Sequence, residues 1–210
     1  MKPLIADATL AASHFIDMGH LYLTRANNEI AYFNLLFSIA IASRPTTILE
    51  LGTGPGVSSR AFVRALRYWQ SVDHAPRFLH TCDIDEAATA RVRRRFGPCV
   101  VAHAVSTDEL ASWWSLEKIP IDLLYIDADH SHVQSLTDFR QFSQWVVPNG
   151  LVLMHDTFPL SVKHEDDRFS GHVWMTVQEI KRRHADEFEA STIPYLCGVS
   201  IIRRMGSKYF

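Results

Sequence analysis

Thr46-Thr47-Ile48-Leu49-Glu50-Leu51-Gly52-Thr53-Gly54-Pro55-Gly56 is the stretch whose reading decides the fold. A short, mostly apolar run carries an acid near its end and gives way to a tight glycine cluster, after which a helical pattern begins. That order predicts a strand, a turn that lets a ligand approach the backbone, and a helix N-terminus facing it. A nucleotide-like ligand is the first expectation.

Glycine spacing separates two ligand classes. The dinucleotide fingerprint is G-x-G-x-x-G, with an acid on the ribose about 20 residues later. Here Gly52, Gly54 and Gly56 give G-x-G-x-G, and the fingerprint's third position is the β-branched Val57. Glu50, at the strand end, would repel a pyrophosphate but suit a cationic amine. This E-x-G-x-G-x-G pattern resembles the first motif of class I S-adenosylmethionine-dependent methyltransferases. The resemblance implies that the loop backs the methionine and ribose of that cofactor.

Composition bounds the rest. A chain of 210 residues with 47% hydrophobic and 21% charged content suits one globular domain with a full core. A net charge of −2 gives no global field for nucleic acid or an anionic membrane. The longest apolar stretch, Leu35 to Ala42, is too short to cross a bilayer, and Asp7 and Asp17 interrupt any signal-peptide layout. Cys82, Cys99 and Cys197 are far apart and read as buried free thiols, so a cytoplasmic, reducing setting is expected.

Along the chain, residues 4 to 43 read as helices, with Ile30, Phe33, Phe37 and Ile41 on one stripe and Pro45 as a stop. Residues 1–45 are therefore expected as a helical N-terminal extension, and 46–210 as the ligand-binding part of one structural domain. Strands are predicted at Thr47–Leu51, Phe78–Cys82, Val100–Val105, Leu123–Ile126 and Leu151–Met154, alternating with helices. One of those helices is expected to carry Leu136, Phe139, Phe142 and Val146 on a single face. A hairpin is predicted near Glu187–Ile193 and Gly198–Arg203. The expected fold is α/β: a doubly wound, Rossmann-like, mostly parallel sheet of about seven strands with an antiparallel end.

In such sheets ligands bind beyond the carboxyl ends of the strands. Asp85, and Thr107 or Asp108, fit helix N-caps there. Asp83, Asp127 and Asp156 are not explained by capping; each is the first acid after an apolar run. Asp83 fits a ribose acid, against the alternative of a turn aspartate. Ser106 falls where the methyltransferase family contacts adenine. Asp127 and Asp156 would end neighbouring strands about 4.8 Å apart, where paired carboxylates need a cation or a proton between them. Mg²⁺ takes such oxygen ligands, and His155, Thr157 or water would complete the shell; an imidazole there moves preference toward a softer metal. The competing reading leaves Asp127 on the cofactor side, with no metal. His130 follows Asp127 by three residues and is the candidate general base, with His132 as competitor.

The segments IDLLYIDADHSH, VPNGLVLMHDTF and GVSIIRR resemble one branch of those methyltransferases, the one grouping macrolide-sugar O-methyltransferases with cephalosporin-biosynthesis proteins. More distantly they resemble catechol and caffeoyl-coenzyme A O-methyltransferases. The resemblance implies Mg²⁺ on Asp127 and Asp156, His130 as base, and a hydroxyl on a small-molecule acceptor. His155 stands where the sugar enzymes carry glutamate. An NAD-type oxidoreductase, which Val57 argues against, and a non-catalytic S-adenosylmethionine-binding protein are the other readings. The basic run Arg91, Arg93, Arg94, Arg95 reads as a solvated helix face, and Trp113 and Trp114 as core or interface. Residues 157–171 read as a lid over the acceptor, with disorder as the competing reading. The pattern leaves homo-oligomerisation open.

Overall fold

The run Thr47–Leu51 forms the central strand β1, flanked on both sides by parallel partners. The protein is described by a computed structural model over residues 25–158, 172–194 and 197–206. The predicted lid beyond residue 158 and the helices before residue 25 lie outside those residues. The other strands are β2 (Phe78–Cys82), β3 (Val100–His103), β4 (Ile121–Ile126), β5 (Val146–His155), β6 (Phe188–Ile193) and β7 (Val199–Arg204). Their order is β3-β2-β1-β4-β5-β7-β6, with β7 antiparallel to both neighbours. The doubly wound sheet and the terminal hairpin expected from the sequence are both present.

Among the described residues six helices flank the sheet: α1 (Arg25–Ser43), α2 (Val57–Asp73), α3 (Glu86–Phe96), α4 (Thr107–Glu117), α5 (His132–Phe142) and α6 (Val173–Arg183). One core joins Phe33, Leu36 and Ala40 of α1 to Phe62 and Leu66 of α2 and to Ile48, Leu79 and Tyr125 of the sheet. The other joins Trp114, Phe139, Phe142, Val177 and Ile180 to Leu49, Leu124 and Val152. Both faces of the central strands are thus covered, which is why they read as near-continuous apolar runs. The buried face of α1 is Phe33, Leu36 and Ala40, whereas Ile30 of the predicted stripe is 55% exposed.

Two local predictions need correction. Val146 belongs to β5 and not to the preceding helix face, because α5 ends at Phe142 and a 3₁₀ turn covers Ser143–Trp145. The fifth strand, predicted at Leu151–Met154, extends over Val146–His155 and takes in Pro148-Asn149-Gly150, where Asn149 has a φ of 65° and the register with β4 shifts. The basic run on α3 is a solvated helix face as expected, with Arg91, Arg93, Arg94 and Arg95 all exposed, and two of its members also reach backbone carbonyls. Arg91 donates to the Gly54 carbonyl at 3.3 Å, and Arg93 donates to that of Ala102. Of the three free cysteines only Cys82 is buried.

Candidate active site

The strand order reverses between β1 and β4, and there the strand ends lie level: Leu51 pairs with Cys82 and with Ile126, and Ile126 pairs with Met154. The chain leaves the sheet in step. Gly52 and Thr53 donate backbone N–H bonds to the Cys82 carbonyl at 3.0 and 3.1 Å, and Asp127 donates to that of Leu51 at 2.9 Å. A cavity of about 690 Å³ opens over these ends, within the range of small-molecule and cofactor sites. Gly52, Gly54, Val57, Asp83, Ser106, Asp127, His130 and His155 all line it. Glu50, Gly56 and Asp156 do not.

Each glycine has its own reason. At Gly52, φ is +95° and a Cβ would lie 2.2 Å from the Asp127 carbonyl oxygen, so this residue lets β4 approach. At Gly56, φ is +81° and a Cβ would meet Val92 of α3 at 2.9 Å. Gly54, at φ +46°, has nothing within 4 Å of that position and leaves open space in the cavity wall.

Glu50 is fully enclosed. Its Oε2 accepts from Ser59 Oγ and Thr81 Oγ1, both at 2.6 Å, and Thr81 also meets Thr53 Oγ1 at 2.7 Å. Burial pushes its carboxyl up to about 7, although the hydroxyls of Ser58, Ser59 and Thr81 pull it down. Its Oε1 is buried without a hydrogen-bond partner. The acid therefore sits beneath the glycine turn rather than in the cavity wall.

Asp83 braces that turn from β2: Oδ2 accepts from Gly54 N at 2.9 Å and Oδ1 from Asp85 N at 2.9 Å. Asp85 caps α3 as predicted, accepting from Ala87 N at 2.9 Å. The cap of α4 is Ser106, not Thr107 or Asp108. Ser106 forms a capping box with Glu109, so its side chain is already engaged where it lines the cavity.

Four side chains meet at the ends of β4 and β5. Ligand atoms of Asp127, His130 and Asp156 all lie within 4.8 Å of one another. His155 Nδ1 is 3.2 Å from both Asp127 Oδ1 and Asp156 Oδ1. At that distance it is in ion-pair range of both, yet the enclosed atom has hydrogen-bond geometry with neither. Burial opposes a charge on His155, but Asp127 and Asp156 overcome it and hold the imidazole up at about 9. His130 Nδ1 contacts Asp156 Oδ2, which raises its pKa against the opposing effect of burial. Its Nε2 is 3.9 Å from Asp127 Oδ1. Asp156 is 3% exposed and adopts a left-handed φ of 57°, an unusual backbone for a residue with a side chain. Oxygen and imidazole donors converging around one point fit a divalent cation. Thr157 turns away from the cluster, and its Oγ1 accepts from Ser200 at 2.9 Å. His132, the competing base, starts α5, binds Thr176 Oγ1 at 2.9 Å and does not line the cavity.

Two residues escaped the sequence reading. Tyr125, wholly buried in β4, donates to Asp127 Oδ2 at 2.7 Å. Tyr32 of α1 lines the cavity, contacts the Tyr125 hydroxyl, and packs its ring 4.8 Å from that of His155. Burial, with Asp127 and Asp156 nearby, holds the Tyr32 phenol well above its ordinary value and so protonated.

Comparison with known proteins bears on the family and the fold. Residues 49–157 match the profile of a family described as a methyltransferase domain. The chain is 32% identical over 128 residues to the O-methyltransferase hkm8 of Aspergillus hancockii, an alignment covering 58% of this chain and 46% of that protein. It thus spans about half the length of that curated relative. The fold is similar to that of an O-methyltransferase from Bacillus cereus in complex with SAH (TM-score 0.65, 14% identity, 97% of this chain and 92% of that one). It is also similar to SAH-bound PaMTH1 of Podospora anserina (0.65, 13%, 98% and 99%). A third likeness is to TomG of Streptomyces achromogenes, solved with SAM (0.65, 18%, 98% and 92%). Identities this low speak to the fold alone.

Proposed function

Because this chain belongs to the family of methyltransferase domains, we propose that it moves a methyl group from S-adenosylmethionine to a hydroxyl of a small-molecule acceptor. The observation that carries this reading is one cavity with two unlike ends. At one end are the bare turn at Gly54 and the Asp83 carboxylate; at the other are Asp127, His130 and His155.

In the reaction an acceptor oxygen attacks the methyl carbon of the sulfonium. The carbon–sulfur bond breaks, its electron pair stays on sulfur, and neutral S-adenosylhomocysteine leaves. The intrinsic reactivity is the cofactor's, and the protein aligns the two centres. The Gly52–Gly54 backbone would back the cofactor, and Asp83, which holds Gly54 N and lines the cavity, would meet its ribose. No Lys or Arg is among the described residues lining the cavity, whereas Asp83, Asp108, Asp127 and Asp129 are, which favours a cationic sulfonium. His130 takes the acceptor's proton. With its Nδ1–H donated to Asp156, the free Nε2 is the basic atom. A divalent cation held by Asp127, Asp156 and an imidazole would lower the hydroxyl's pKa.

Isothermal titration with S-adenosylhomocysteine tests the cofactor, and absence of heat at high micromolar concentration sinks the proposal. Transfer of labelled methyl groups to a panel of hydroxylated small molecules tests the chemistry.

A further inference from the structure

We propose that the Asp127–His155–Asp156 cluster takes a transition-metal dication, such as Mn²⁺, Fe²⁺, Co²⁺ or Zn²⁺, in preference to Mg²⁺, and that His155 sets this preference. The inference rests on the methyltransferase reading for its purpose but on local geometry for its content.

Consecutive strand residues point to opposite faces. His155 ends β5 and Asp156 follows it, so an extended chain would send one of the two away from Asp127. The left-handed φ of 57° at Asp156 breaks that alternation. As a result both residues reach the same point. His155 Nδ1 lies 3.2 Å from one oxygen of each carboxylate. Ligands bound at about 2.1 Å to one ion are separated by about 3.0 Å in an octahedron and about 3.4 Å in a tetrahedron. The two separations from Nδ1 match those of donors flanking a common ion. They also lie in ion-pair range, but the enclosed Nδ1 has hydrogen-bond geometry with neither partner.

The outer contacts hold the donors in this attitude. Tyr125 occupies Asp127 Oδ2 and leaves Oδ1 as the atom facing His155. Tyr32 packs against the imidazole ring and limits its rotation. Such supporting contacts are what orient ligands in metal sites. Mg²⁺ prefers oxygen ligands alone and gives up water reluctantly, whereas imidazole nitrogen suits the later first-row ions. The rival occupant of the space is the imidazolium proton of His155 itself, which would leave the site without a metal.

The test uses the full chain, stripped with a chelator and dialysed against equimolar Mg²⁺, Mn²⁺, Co²⁺ and Zn²⁺, with bound metal measured by mass spectrometry. One transition ion per chain and little Mg²⁺ is the expected result. Carboxylate sites also favour transition ions somewhat, so the decisive number is a change: His155→Glu should narrow the Mn²⁺-to-Mg²⁺ affinity ratio by about tenfold or more. In the unmodified protein, electron-spin-echo spectra of bound Mn²⁺ should show modulation from directly coordinated nitrogen, and that modulation should survive in His130→Ala. No retained metal, no nitrogen modulation, or an unchanged ratio in His155→Glu overturns the proposal. S-adenosylhomocysteine titration run in parallel reports separately on the methyltransferase reading.

Discussion

Gly52→Ala and Gly54→Ala should damage different properties, although both change one glycine of one turn. An alanine Cβ at position 52 would lie 2.2 Å from the Asp127 carbonyl oxygen, and ordinary contact begins at 3.4 Å, so β1 and β4 must part by the difference, about 1.2 Å. The obstacle is backbone, which cannot swing aside as a side-chain end can. Overpacking of this kind costs about 1–3 kcal/mol and the strained φ of +95° about as much again, for a total near 4 kcal/mol. In a chain of this size each kcal/mol moves Tm by about 2–4 °C, so Gly52→Ala should melt about 8–16 °C lower. At Gly54 a Cβ meets nothing within 4 Å, and φ is +46°. Only the left-handed backbone is penalised there, about 1–2 kcal/mol or about 2–8 °C. The added methyl instead projects into the cavity wall, where the cofactor would lie, and should weaken S-adenosylhomocysteine binding by about tenfold or more. Differential scanning calorimetry and isothermal titration on the two variants read both properties. A Gly52→Ala protein that melts within about 2 °C of the parent refutes the packing account. A Gly54→Ala protein that binds the cofactor product normally refutes the ligand account.

Other outcomes follow from single groups. Glu50 is raised to about 7, so the native state holds its proton longer than the unfolded chain and stability falls as pH rises from about 4.5 through 7; Glu50→Gln should flatten that slope, worth about 3 kcal/mol, in urea titrations at pH 5 and pH 8. His80 shows the opposite sign: burial and the neighbouring His103 imidazole, 3.3 Å away, lower it to about 4, so stability is lost as pH falls from about 6.5 toward 4. His103→Gln should lessen that acid sensitivity, and an unchanged acid limb in thermal melts would remove the pair from the account. His130→Ala should cut turnover by about 10²–10⁴-fold while leaving S-adenosylhomocysteine affinity within about twofold; equal losses in both would make it a binding residue.

Much of this site was legible because its parts sit at strand ends, and the ends are marked in the sequence by the first polar residue after an apolar run. Asp83, Asp127 and Asp156 are singled out in this way, and the sheet order brings those strand ends level, whereas Glu50 lies beneath the turn and not in the cavity wall. Ser106 shows the limit of that signal. A serine after a strand reads equally as ligand contact or helix cap, and here the capping box with Glu109 engages it. The extent of β5 was hidden for a related reason: Pro-Asn-Gly carries turn chemistry, and only pairing with β4 and β7 holds it in the sheet.

What the sequence could not display are relations across the fold. Tyr32 and Tyr125 lie 93 positions apart, and each looks like one more aromatic of an apolar pattern. Their hydroxyls meet only because α1 packs across α2 and over the end of β4. That packing gives the N-terminal helix a place in the chemistry, since Tyr32 touches His155 on one side and, through Tyr125, the Asp127 carboxylate on the other. Asp156 is the sharper case. Its neighbour relation to His155 predicts opposite faces, and nothing in the run His155-Asp156-Thr157 announces a left-handed residue. The backbone reversal there turns two adjacent side chains into one convergent pair, and with it a strand end into a candidate metal centre.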